Sequence, residues 1–143
     1  MNTRYLILLL ILPALSFASL ADEQLEGTFY GKDINRDNCK LTITSAQDEL
    51  PEKYAVITAE ASGLGQSGRE IYTKPYREAL LEAHAESINF FKFANRTTIR
   101  FFSISYPEYG PFRPMGFTII DVNRTSRSRN IIASCILEAQ RRR

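Results

Sequence analysis

Short apolar runs with a two-residue period, separated by turn-forming clusters, constrain this chain more than any other feature. "CKLTITS" (39–45) sets Cys39, Leu41 and Ile43 on one side and Lys40, Thr42 and Thr44 on the other. "YAVITAEAS" (54–62), "TTIRFFSIS" (97–105) and "FTIIDVN" (117–123) alternate in the same way. Such alternation marks β-strands with two distinct faces. "GTFYGKD" (27–33) and "REIYTK" (69–74) are shorter candidates. In "TTIRFFSIS" both faces are apolar, with Ile99 and Phe101 on one and Phe102 and Ile104 on the other. That predicts a central strand covered on both sides. "IIASCILEA" (131–139) fits either period and is read as a last strand, with a helix as the alternative.

One segment reads differently. In "PYREALLEAHAESINFFKFA" (75–94), Tyr76, Ala79, Leu80, Ala83, Phe90, Phe91 and Ala94 fall on one helical stripe. Thr73 is the expected cap, Pro75 suits the first turn, and Asn95 is the expected left-handed stop. Glu78, Glu82 and Glu86 form the wet ridge. The rival reading ends the helix near Glu86 and makes "INFFKF" a strand, which its Phe and Ile content favours. The phase of the stripe continues past residue 86, so a long helix at about 75–94 is expected. The fold class is then α+β: a small antiparallel β-barrel or strongly curved sheet carrying one long helix. The order of elements is similar to that of an OB-type barrel. If "INFFKF" is a strand, an eight-stranded up-and-down barrel follows instead.

The N-terminus, "MNTRYLILLLILPALSFASLADEQ", has Arg4, an apolar run and small residues before Asp22. This is the build of a secretory signal peptide over 1–21, leaving 22–143 as a single globular domain. The expected location is secreted or periplasmic. Cys39 and Cys135 are the only two cysteines, and an oxidising compartment favours a bridge between them. Two cysteines and a lone histidine are a poor zinc set, so no metal is expected.

Charge is balanced overall, at +2. It is not evenly spread: residues 124–143 hold six arginines and one acid, Glu138. Such a segment suits anionic surfaces.

Several motifs point to chemistry and then fail on context. "GLGQSG" (63–68) has the spacing of a dinucleotide-binding turn, but "REIYTK" follows it where a helix is required. It is read as an exposed, mobile turn between two strands, and no nucleotide cofactor is expected. His84 stands in no nucleophile motif. Asn95-Arg-Thr97 and Asn123-Arg-Thr125 match the glycosylation sequon, which matters only in a eukaryotic secretory route.

"YPEYGPFRP" (106–114) combines three prolines with rings and an arginine, the composition of a rigid contact loop. Tyr106, Tyr109, Phe112 and Arg113 are therefore candidate binding residues, with Arg124, Arg127 and Arg129 as a basic partner segment. The expected function is a small exported binding module, not an enzyme, that recognises a glycan, an anionic envelope component or a protein. The alternatives are an exported hydrolase using carboxylates such as Asp33, Asp37 or Asp121, and a structural subunit of an envelope complex.

Overall fold

A computed structural model describes residues 24–47 and 52–139. Eight antiparallel strands follow one another: β1 (Gly27–Asp33), β2 (Asn38–Gln47), β3 (Lys53–Glu60), β4 (Arg69–Pro75), β5 (Ser87–Phe93), β6 (Thr98–Ser105), β7 (Gly116–Asn123) and β8 (Arg129–Leu137). One helix, α1 (Tyr76–His84), lies between β4 and β5. The sheet order is β4-β3-β2-β1-β8-β7-β6-β5, so β1 pairs with β8 and the sheet curls into a nearly closed barrel. The small antiparallel barrel with one helix is as the sequence predicts. The predicted signal peptide and Arg141, Arg142 and Arg143 lie outside the described residues.

The helix is shorter than its periodicity predicts. It ends at His84, Glu86 turns the chain at φ +78°, and the next seven residues form β5. Pairing explains the change: Ile88 lies opposite Ile104 and Phe90 opposite Phe102, all four in the core. The helical stripe sets Phe90 and Phe91 side by side, whereas the strand puts Phe90 inside and leaves Phe91 73% exposed. Tertiary burial of a β-favouring run overrides the helical phase. Thr73 belongs to β4 and caps nothing, since α1 has Pro75 at its N-cap without a side-chain hydrogen bond. Asn95 serves the β5–β6 turn, where its Oδ1 accepts the amides of Thr97 and Thr98.

Eight strands leave an interior that side chains can fill. Phe102, 1% exposed, stands at its centre and packs against Tyr72 at 4.5 Å, Phe90 at 5.6 Å and Phe117 at 5.8 Å between ring centroids. Leu41, Ile43, Ile57 and Ile119 are fully buried in the same core. At one end α1 lays its small face, Ala79 and Ala83, on the barrel. The other end receives Leu64 from the 61–68 turn, only 6% exposed. "GLGQSG" is thus a stopper rather than a loose loop. Gly65 and Gly68 take left-handed φ values, and Ala61 N and Gly68 N donate to Gly68 O and Gly65 O.

β4 and β5 are the two ends of the sheet order, and side chains zip the seam between them. Lys74 Nζ donates to Asn89 O at 2.5 Å and to Glu82 at 2.6 Å, while Asn89 N donates to Glu82 at 3.2 Å. Glu82 of the wet ridge therefore covers a strand edge that would otherwise template pairing. Farther along, Glu70 of β4 reaches Arg100 of β6 and Lys92 of β5.

Closure at β1 and β8 depends on Gly31. A Cβ there would sit 2.0 Å from Ile136 O. Gly31→Ala is expected to cost about 2–3 kcal/mol by overpacking against backbone. In an ordinary strand the same change stabilises by roughly 0.5–1 kcal/mol. Urea unfolding therefore tests the sign as well as the size.

Candidate functional site

The two segments singled out by sequence lie at opposite ends of the barrel. The 106–115 loop follows β6 and sits beside α1, with Tyr106 N bonded to Glu86 O. The 124–128 turn follows β7 and lies at the end stoppered by Leu64, beside the β5–β6 turn, with Arg124 N bonded to Thr97 O at 2.7 Å.

At the helix end the rings are committed to packing. Tyr106 is 3% exposed and stacks on Phe112, which in turn stacks on His84 at 4.9 Å. Arg113 lies over the Phe29 ring. Tyr109 alone of the candidate rings projects, at 85% exposure. Burial pushes the Tyr106 phenol above its ordinary range; burial and then the bond to Glu70 do the same for Tyr72. A raised folded value means stability that is complete below the unfolded phenol value of about 10 and is lost as pH rises past it. Melting temperature is expected to fall progressively as pH rises above about 10, and two phenols should ionise only on unfolding when followed by ultraviolet absorbance.

The other end is built differently. Asn95-Arg96-Thr97 and Asn123-Arg124-Thr125 are the same tripeptide, and in both the Asn side chain makes the same pair of hydrogen bonds. Asn95 Oδ1 accepts the Thr97 and Thr98 amides at 2.9 and 2.8 Å; Asn123 Oδ1 accepts the Thr125 and Ser126 amides at 2.9 and 3.0 Å. Self-bonding of this kind is why Asn suits such turns. Arg127 adopts φ +57° and bonds back to Asn123 O, so the basic segment is a tight turn rather than a flexible loop. Arg96, Arg124, Arg127 and Arg129 are all exposed.

Next to these turns lies an exposed apolar wall, the outer face of β5, β6 and β7. Phe91 lies opposite Phe101, which lies opposite Ile120; Phe93 lies opposite Ile99, which lies opposite Val122. Phe91, Phe93 and Phe101 are 73%, 62% and 44% exposed. The expectation that "TTIRFFSIS" is a central strand covered on both sides is corrected: β6 is the last but one strand of the sheet, paired with β5 and β7, and only its Phe102 and Ile104 are buried. The Arg124 guanidinium stands 5.6 Å over the Phe93 ring, linking wall and turns. Sequence reasoning picked out the arginines but missed the rings, because alternation tells which residues share a face and not whether that face is covered.

Inside the same end Arg100 forms a fork with Asp121, Nε–Oδ1 2.6 Å and Nη2–Oδ2 2.8 Å, and also binds Glu70, which accepts the Tyr72 hydroxyl. The Asp121 pair first, and then Glu70, hold the guanidinium above its ordinary range. Asp121 is therefore engaged in an ion pair. Asp33 and Asp37 do meet, sharing the Ser62 hydroxyl at 3.0 and 3.3 Å beside a cavity of about 310 Å³. Asp33 Oδ1 also accepts the Asn35 and Asp37 amides, as in a structural turn.

Cys39 and Cys135 are joined, across the strand that carries Gly31. No helix among the described residues is long and apolar enough to cross a membrane. Among the described residues, no cluster of three or more His, Cys, Asp or Glu is placed to hold a metal. No family model matches the chain, and searches of curated proteins and of solved structures find no significant match.

Proposed function

We propose that this protein is an exported binding module that recognises an anionic envelope component through its basic end. The observation that carries the reading is the pair of Asn-Arg-Thr turns, joined by the Arg124 N to Thr97 O hydrogen bond, with Arg96, Arg124, Arg127 and Arg129 all exposed at this end. Arginines on short self-bonded turns lose little freedom on meeting phosphate, sulfate or carboxylate groups. The disulfide fits the oxidising compartment that export implies. Tyr109 and Arg113, at the far end, belong to a separate surface.

The purified protein is expected to stay on immobilised dextran sulfate until moderate salt is reached. Replacing Arg96, Arg124, Arg127 and Arg129 with glutamine should lower the salt needed for elution, by a binding loss of up to about fivefold for each arginine when ~1 kcal/mol is assigned per exposed ion pair. Replacing Tyr109, Phe112 and Arg113 with alanine should leave elution unchanged. Unchanged elution of the arginine variant would overturn the assignment.

The meeting of Asp33 and Asp37 at Ser62 favours a second reading, a carboxylate-dependent hydrolase. Hydrolysis of a glycoside or ester panel that Asp33→Asn abolishes without loss of fold would support it; no hydrolysis would remove it.

A further inference from the structure

The apolar wall and the arginine turns form one continuous surface, and its chemistry narrows the partner. Resting on the anionic-partner reading, we infer that the outer face of β5, β6 and β7 docks side-on onto an anionic lipid bilayer. Phe91, Phe93 and Phe101 enter the boundary between headgroups and acyl chains, and Arg96, Arg124 and Arg127 meet the lipid phosphates.

Three observations select a bilayer as the occupant. The exposed rings are phenylalanines, which offer a partner no polar tip, and their cross-strand neighbours Ile99, Ile120 and Val122 are aliphatic. A polar glycan would leave such a wall wet, whereas acyl chains match it. The wall also ends sharply. The next outward row across the same strands is Asn89, Ser103 and Thr118, so the apolar band is bounded by arginine turns on one side and by polar residues on the other.

Charge is the third observation. Residues 87–137 carry seven cations and only two acids, Glu108 and Asp121, and Asp121 is held by Arg100. Residues 24–86 carry eleven acids and seven cations. Four of those cations, Arg96, Arg124, Arg127 and Arg129, are exposed on or beside the turns that border the rings, whereas Lys92 and Arg100 are paired with Glu70 and Arg113 lies at the helix end. Two copies meeting through this wall would bring like-charged turns together, which argues against a symmetric dimer as its occupant. An anionic bilayer supplies both the missing negative charge and the apolar layer.

The chain contains no tryptophan, so Phe93→Trp makes a single reporter at the proposed contact. With the disulfide intact, this variant is titrated with vesicles of phosphatidylcholine and with equimolar phosphatidylcholine–phosphatidylglycerol. Its emission should shift to the blue, and brominated acyl chains should quench it, only on the anionic vesicles. Arg124→Gln should weaken vesicle binding about fivefold, the equivalent of ~1 kcal/mol per arginine near the surface. Phe91→Ser with Phe101→Ser should weaken it about tenfold or more, since each ring withdrawn from the interface forfeits its burial. Unshifted emission on anionic vesicles, with dextran sulfate still bound, would overturn the bilayer inference and leave the anionic-partner reading standing. Binding to neither would overturn both. A blue shift without vesicles, accompanied by a dimer in sedimentation equilibrium, would assign the wall to a second copy and also overturn it.

Discussion

Loss of the Cys39–Cys135 bridge is expected to lower stability by about 4–5 kcal/mol. The two residues are 96 apart in sequence, so the bond closes most of the described chain into one loop. In the chain-entropy account, a loop of that length removes more freedom from the unfolded state than a short one does. The bridge also acts locally. It links β2 to β8 across β1, where only Gly31 to Asp33 pair with β8. Without it, three residues of pairing hold the barrel shut at this point. The double variant Cys39→Ala, Cys135→Ala should therefore unfold at a urea midpoint lower by roughly 2 M. A shift of less than about 0.5 M would show that the barrel closes without the bond.

The second large effect is expected at Phe102. Its ring touches Tyr72, Phe90 and Phe117, so one truncation removes the partner of three other rings. Phe102→Ala is expected to cost about 4–5 kcal/mol, near the top of the range for such changes, because rings drawn from β4, β5 and β7 cannot all collapse into the void. Phe101→Ala, one residue along the same strand, removes a ring that is 44% exposed and should cost less than about 1 kcal/mol. The contrast between neighbours in chemical denaturation is a sharper check than either value alone. Similar losses at both positions would mean that the outer face is covered.

That contrast also shows how far the sequence could be read. Most strands were plain from alternation, because a period of two survives whatever lies beyond the sheet. The cysteine pairing followed from their number and from the expectation of export. Residues 87–93 were harder, since Ile88, Phe90, Phe91 and Phe93 satisfy a helical stripe and a strand equally well. Their pairing with β6, a long-range contact, decides between the two. The turn after β7 is legible as a basic segment, but Arg96 stands out only within a sequon. The adjacency of the two turns comes from β6 and β7 lying side by side, which brings Thr97 O to Arg124 N. The Pro-aromatic loop showed the opposite limit: its rings looked like contacts, yet Tyr106 and Phe112 are spent on closing the barrel end.

Under the proposed function the partner meets the basic end and the adjoining phenylalanine wall, and leaves the helix end free. Amide hydrogen exchange of the protein, with and without anionic vesicles or dextran sulfate, tests this most directly. Residues 91–101 and 123–129 should exchange more slowly when the partner is bound, while 106–115 should exchange at the same rate. Protection confined to 106–115, or to neither region, would contradict it.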